Sequence, residues 1–231
     1  MSDVVEIVAA ERPTRDINRE IKAALEQGRD VVVNETLSRH NLGVGLPPGG
    51  TVTFRGSVGY YCGGLNTGAD VIVERNAGWG LAEGMSAGSM TVSGYSGLGT
   101  GAAMFGGLVH IKGNAGPRAG VAMKGGDIVV EGSVGFLSGF MAHAGRIIVL
   151  GDTEDAAGDS LWGGCMWVAG EVRSLGVDAV YIEPPGEEVD AVEQLLGTLG
   201  LGDPQRSWKK IVSGQKLWHF ESRDAQAWLM I

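Results

Sequence analysis

The side chains suited to catalysis are few in this chain and they lie far apart. Histidines could serve as general bases or metal ligands, but His40, His110, His143 and His219 are scattered along the sequence. Asp152, Glu154, Asp155 and Asp159 form the one dense carboxylate group. Paired carboxylates can do acid–base work, yet a solvated loop explains this group more simply. Gly97-Leu-Gly-Thr-Gly101 looks like a fragment of a nucleotide-binding loop. Phosphate binding by such a loop needs a following helix to aim its amide groups, and none follows, so this is a turn. Cys62 and Cys165 belong to no CxxC or Cys/His cluster, and neither zinc nor iron–sulfur ligation is indicated. No nucleophile sits at a set spacing from a base. The expectation is a chain with no catalytic, cofactor-binding or metal residues of its own.

The elements that carry these residues are laid out by a repeat. Gly50, Ala69, Gly88, Gly107, Gly126, Gly145 and Gly164 recur every 19 residues. Taking each as position zero, position +2 reads Val52, Val71, Met90, Val109, Ile128, Ile147, Met166. Position +4 reads Phe54, Val73, Val92, Ile111, Val130, Val149, Val168. Position +6 is glycine except at Arg75, and position +9 is glycine until Glu154 and Arg173. Position +16 carries Met85, Met104, Met123 and Leu161, with Asn66 and Ala142 as lapses. A fixed period of this size signals stacked supersecondary units.

Apolar residues two apart face one side of a strand, whereas a helix would space them by three or four. The glycines are expected to turn the chain at positive φ. One unit cannot bury its apolar side alone, and stacking in parallel gives continuous ladders. The reading is an all-β chain: a right-handed parallel β-helix of about seven 19-residue coils with short N- and C-terminal helices. At about 4.8 Å per coil it is about 30 Å long. Calcium-binding nonapeptide repeats are set aside, since no aspartate recurs in register. Hexapeptide coils are set aside because 19 is not a multiple of six.

A net charge of −9 argues against nucleic acid as a partner. No apolar run is long enough to span a membrane and the N-terminus is not a signal peptide, so a cytoplasmic location is expected. Three segments follow: residues 1–37 as an N-terminal helix and strand cap, 38–183 as the β-helix, and 184–231 as a C-terminal helix and docking tail. Residues 16–27 are expected to be helical, with Asp16 as cap, Ile17, Ile21, Ala24 and Leu25 on the apolar face, and Gly28 as the stop. Val31–Val33 is expected to be a strand. A second helix from Glu187 carries Val189, Val192, Leu195, Leu196 and Leu199 in one stripe. The outward +3 row turns apolar at Val129, Ile148 and Trp167, and that stripe is expected to lie under this helix. The basic, aromatic tail docks either on its own β-helix or on a partner; with the helix on the stripe it is expected to remain free for a partner, with Trp208, Lys209, Lys210, Trp218 and Phe220 as interface residues and Trp218 and Phe220 as anchors.

The repeat Gly106-Gly-Leu-Val-His-Ile-Lys-Gly-Asn-Ala-Gly-Pro-Arg-Ala-Gly120 resembles the GXGXG β-helix domain. That domain closes the large subunit of glutamate synthase and forms one subunit of formylmethanofuran dehydrogenase. Arg39-His-Asn-Leu-Gly-Val-Gly45, Gly56-Ser-Val-Gly-Tyr-Tyr-Cys-Gly-Gly64 and Lys209-Lys-Ile-Val-Ser-Gly-Gln-Lys-Leu-Trp218 are most similar to the stand-alone β-helix subunit of N-methylglutamate synthase. The resemblance implies a non-catalytic subunit of a complex that converts methylamine and glutamate to N-methylglutamate and ammonia. It implies two partners, a glutamine-amidotransferase-like subunit and an FMN-containing glutamate-synthase-like subunit. FMN, with an iron–sulfur cluster as a further candidate, would sit on the latter. One alternative is the β-helix subunit of a formylmethanofuran dehydrogenase or formyltransferase/hydrolase complex. Another is a stand-alone polysaccharide-acting β-helix enzyme, which would need a carboxylate cluster in a groove and usually a secretion signal.

Overall fold

A computed structural model describes residues 4–217. The chain is a parallel β-solenoid of about seven turns with a helix at each end of the sequence. In chain order the elements are β1 (Val5–Val8), α1 (Thr14–Glu26), β2 (Val31–Asn34), β3 (Thr51–Phe54), β4 (Thr67–Val73), β5 (Ala87–Val92) and β6 (Leu108–Ile111). They continue as β7 (Lys124–Val130), β8 (Ala144–Val149), β9 (Cys165–Val168), β10 (Ala179–Ile182), α2 (Gly186–Thr198) and β11 (Lys209–Ser213).

The repeat register is the strand register. Val52 pairs with Val71, Val71 with Met90, Met90 with Val109, and so on to Ile147 with Met166. A second ladder of single bridges runs at position +8, from Val58 through Ala77, Ser96, Ala115, Val134 and Thr153 to Val172. Positions +2 and +4 are buried throughout, and so is the +16 row of Asn66, Met85, Met104, Met123, Ala142 and Leu161. Asn66 fits this row by turning its amide onto backbone: Nδ2 donates to Ala69 O at 2.8 Å and Oδ1 accepts from Ala69 N at 3.0 Å. A buried amide so satisfied carries no desolvation penalty for an orphaned group.

The third side of each coil is an arc of left-handed residues at +11, +13 and +15. In one coil these are Gly80 (φ +66), Ala82 (φ +58) and Gly84 (φ +66), and in a later one Arg118 (+59), Gly120 (+70) and Ala122 (+52). The alternation sends successive amides in opposite directions along the stack. Gly80 N donates to Leu98 O in the next coil, Ala82 N to Cys62 O in the previous one, and Gly84 N to Ala102 O in the next. Side chains at +12, such as Leu81 and Ala119, lie in the core and are fully buried.

The +6 and +9 glycines do something other than expected. Apart from Gly56 (φ +130), none has positive φ. They are glycine because the previous coil lies against them. A Cβ on Gly113 would sit 2.8 Å from Gly94 O, and one on Gly116 would sit 2.8 Å from the Gly97 carbonyl carbon. At Gly132 it would also reach within 2.1 Å of Asn114 Oδ1. That amide oxygen belongs to a side-chain ladder: Asn114 Oδ1 accepts from Ser133 N at 2.9 Å, as Asn76 Oδ1 does from Tyr95 N at 3.1 Å.

Both ends of the stack are plugged. α1 buries Ile17, Ile21, Ala24 and Leu25 as expected, and Gly28 (φ +69) ends it. Its N-cap is Pro13, and Asp16 lies inside the first turn instead of capping. β1, which the sequence pattern does not reveal, adds a parallel strand beyond β2. At the other end β11 inserts antiparallel between β9 and β10, and Ile211, opposite Met166, is fully buried. α2 covers the outer stripe: Val129, Ile148 and Trp167 form one buried cluster with Val192 and Leu196. One sheet of eleven strands thus crosses the expected segment boundaries near residues 37 and 183.

The steric role of the +6 glycines predicts a specific pattern of rescue. Gly132→Val lowers stability by more than the ~1 kcal/mol of a mild backbone change. Asn114→Ala in the same chain recovers only part of the loss, since the Gly113 carbonyl oxygen, 2.8 Å from the added Cβ, remains. Chemical denaturation of the two single variants and the double variant measures this. Full recovery, or no loss in Gly132→Val, would refute the backbone clash.

Candidate functional site

Among the described residues, those with catalytic potential are engaged in holding coils together; His219 lies outside the described residues. His110 is 4% exposed, and its Nε2 lies 2.9 Å from Glu131 Oε1 in the next coil. His40 Nδ1 accepts from Tyr60 N at 2.8 Å, and its ring stacks on Tyr60 with centroids 4.4 Å apart. Tyr60 stacks in turn on Trp79 at 4.9 Å, nearly parallel at 9°. His143 belongs to an outward row at +17 with Phe105, Lys124 and Trp162. Lys124 Nζ lies 5.1 Å from the Phe105 ring centroid, and His143 stacks on Trp162 at 6.1 Å. Burial first, and then the Lys124 charge, lower the His143 pKa below the ordinary imidazole value.

The acidic group of the sixth coil does not converge on a point. Asp152 Oδ1 accepts from Glu171 N at 2.7 Å, and Glu154 Oε2 from Phe136 N at 3.0 Å. Asp155 takes the Ser174 hydroxyl at 2.9 Å and pairs with Arg173 at 3.4 Å, while Asp159 accepts from Val177 N at 2.9 Å. Each carboxylate caps a backbone or side-chain donor of a neighbouring coil. No group of three His, Cys, Asp or Glu side chains with metal-site geometry occurs among the described residues. Cys62 and Cys165 are both free thiols, and burial is the main cause that raises the pKa of each. A raised thiol pKa disfavours the nucleophilic thiolate.

The side chains of positions +7 and +10 wall a shallow groove along one face of the solenoid. One stretch, of 280 Å³, lies among His40, Ser57, Tyr60, Asn76, Trp79 and Tyr95. A second, of 430 Å³, lies among Asn114, Pro117, Ser133, Asp152, Glu154 and Arg173. Tyr60, Trp79, Tyr95 and Phe136 on this face are all exposed. His40 and Tyr60 at its aromatic end come from two segments singled out in the sequence, 39–45 and 56–64, whereas Trp79 and Tyr95 do not.

The interface residues expected in the tail are placed differently from the expectation. Trp208, Lys209 and Lys210 do not extend away from the domain; they are part of it. Trp208 packs edge-on against Trp167 at 6.0 Å, and its Nε1 donates to Glu193 Oε1 at 3.0 Å. Lys209 Nζ donates to Gly170 O at 2.6 Å, and Lys210, 7% exposed, pairs with Glu188 of α2 above the Trp167 ring. The described part of the tail docks on its own β-helix because Ile211 completes the core ladder. Trp218 and Phe220 lie outside the described residues. No helix among the described residues is long and apolar enough to cross a membrane.

No protein-family model matches the sequence. The chain is 47% identical over 222 residues to protein GlxC of Rhizobium meliloti (strain 1021), across 95% of this chain and 97% of that protein. Its fold is similar to a chain in the crystal structure of the formyltransferase/hydrolase complex (FhcABCD) from Methylorubrum extorquens, solved with methylofuran. The TM-score is 0.67 at 26% identity, covering 74% of this chain and 67% of the other.

Two outcomes are expected. Ile211→Asp places an unpaired charge at the end of the core and lowers the melting temperature sharply; an unchanged Tm would mean that the tail is not a structural strand. In an NMR titration His143 has a pKa below the ordinary imidazole value, and Lys124→Ala raises it. A His143 pKa at or above that value in the unaltered chain would contradict the assigned surroundings.

Proposed function

This chain belongs to the family of protein GlxC, and on that premise we propose that it is a non-catalytic structural subunit of a glutamate-synthase-like complex of the N-methylglutamate synthase type. The complex converts methylamine and glutamate to N-methylglutamate and ammonia. The amine of glutamate leaves as ammonia and methylamine forms the new C–N bond. The partners are a glutamine-amidotransferase-like subunit and a glutamate-synthase-like subunit that holds FMN, with an iron–sulfur cluster a further candidate on the latter.

One observation carries the structural role. His40, His110, Asp152, Glu154 and Asp155 each bond to a neighbouring coil. Side chains so placed hold a shape and are not free to move protons on a substrate. The specific reaction rests on the resemblance of segments 39–45, 56–64 and 209–218. A second reading is favoured by the similarity to a chain of the formyltransferase/hydrolase complex: this chain would then be the solenoid subunit of a formyl-transfer assembly.

Co-expression separates these readings. With the amidotransferase-like and FMN-containing subunits, the full chain is expected to co-purify in a yellow complex that forms N-methylglutamate, detected by mass spectrometry. The isolated chain is expected to show no turnover. Turnover by the isolated chain at the rate of the complex would end the structural reading. Failure to join those subunits, together with assembly into a formyl-transferring complex, would replace the first reading with the second.

A further inference from the structure

The outer face of α1 carries a row of cations on a chain whose net charge is −9. Arg15, Arg19 and Lys22 follow at i, i+4 and i+7, which places them on one helix stripe about 10 Å long. They form one wall of a 640 Å³ groove together with Thr14 and Asn18. The opposite wall is Asn41 and Val44, from the 39–45 segment. This groove is larger than either stretch of the groove walled by positions +7 and +10, and it is distinct from both.

The two walls are fixed to each other. Asn18 bridges them, donating through Nδ2 to Asn41 O at 2.7 Å and accepting through Oδ1 from Gly43 N at 2.8 Å. Asn41 (φ +58), Gly43 (φ +65) and Gly45 (φ +64) give the loop its left-handed path. Gly45 leaves space for the lysine, because a Cβ there would lie 3.2 Å from Lys22 Nζ. Among the described residues the positive charge is mostly unspent. Arg19 meets Asp16 at 3.5 Å, with both side chains well exposed. Arg15 and Lys22 have no ion-pair partner among the described residues. Glu26, one turn beyond Lys22, is exposed and lies outside the groove lining.

We propose that this groove docks an extended acidic segment of a partner subunit. Alternate side chains of an extended strand are about 7 Å apart, close to the ~6 Å rise between Arg15 and Arg19. Two carboxylates on successive outward positions therefore meet Arg15 and Arg19; Lys22 stands about 4.5 Å further along the helix, nearer than the next outward position, and its long side chain makes up the difference to a third. Asn41 offers a polar side chain and Val44 an apolar contact. A preformed wall lowers the ordering cost on the α1 side. The charge of the row counters the repulsion that an acidic chain would otherwise meet on approaching this protein. The partner's identity rests on the complex proposed above; the chemistry of the groove does not.

The test uses the full chain and the variant R15E/R19E/K22E. In the first arm each is titrated with hexaglutamate and, separately, with inorganic phosphate at about 50 mM and about 300 mM salt, a range over which exposed charges become strongly screened. The unaltered chain is expected to bind hexaglutamate at low salt, to lose most of that affinity at high salt, and to bind at least about tenfold more tightly than the variant. Equal binding by chain and variant overturns the proposal. Phosphate bound as tightly as hexaglutamate overturns it too, because the groove would then be a small-anion site. The milder R15Q/K22Q is measured beside the triple variant; if the triple variant does not fold, the same comparison is made with the double variant. In the second arm the chains are co-purified with the two proposed subunits. Loss of assembly in the variant alone supports the proposal, and unchanged assembly overturns it. If the unaltered chain does not assemble, the proposed complex fails and the hexaglutamate arm alone decides the groove.

Discussion

The distance between stacked coils, about 4.8 Å, constrains every residue of this chain whose Cβ would point along the stack. At positions +6 and +9 the backbone of one coil lies directly on the next, and a Cβ would fall within 3 Å of a neighbouring-coil atom. Glycine removes that conflict. Once the backbones meet, amides and carbonyls of neighbouring coils pair on all three sides, and the inward side chains fall into ladders of like residues. The outward +7 side chains gain a role from the same closeness. The Asn76, Asn114 and Asp152 oxygens reach the amides of the coil beyond, at distances of 2.7 to 3.1 Å. The glycine rows, the polar ladder and the aromatic stack of His40, Tyr60 and Trp79 are consequences of one spacing.

A stack has ends, and each end exposes a ladder of apolar side chains with no following coil to cover it. The two ends are closed by different means. At the first, α1 lays Ile17, Ile21 and Leu25 over the core and β1 adds a further parallel strand. At the second, the chain reverses direction. β11 returns antiparallel against β9, so Ile211 stands where a next-coil residue would stand above Met166. The pairing with β10 then uses the other edge of β11. Glu193 joins the pieces, accepting from Arg206 and from Trp208 Nε1. An antiparallel strand cannot continue the coil path, so it closes the stack instead of extending it.

The parts legible in the sequence are those fixed by repetition. Seven copies of one pattern set the register of Val52 through Met166 without ambiguity, and the apolar face of each helix follows from its spacing. The stripe of Val129, Ile148 and Trp167 points to α2 because an outward apolar row needs a cover. What repetition does not encode is hidden. β1 and β11 occur once each, so no period betrays them. The lysines of the tail suggest a free, solvated arm, although Lys210 is buried against Glu188 and Trp167. The glycine rows are plain in the sequence, but their reason is steric and not conformational, because the contact between coils joins residues 19 apart in the chain. The left-handed arc is concealed for a related reason: it admits Ala82, Arg118 and Ala122 as well as glycine. The cations of α1 do not stand out while the helix is considered only for its buried face.

A solenoid built this way is suited to holding other parts at fixed separations. Each coil is held by two neighbours through short hydrogen bonds on three sides, so a displacement at one coil strains the next. Side chains at one repeat position therefore form straight rows on the outside, and a row sets distances between whatever binds to it. The rows here differ from face to face. The +10 row is aromatic near the N-terminal end, the +17 row sets Lys124 between Phe105 and the stacked His143 and Trp162, and the last three residues of the +3 row are taken up by α2. A body with distinct faces can meet distinct partners without changing shape, which removes conformational cost from assembly. In the complex proposed above, the chemistry would reside on the partners and this chain would set where they stand.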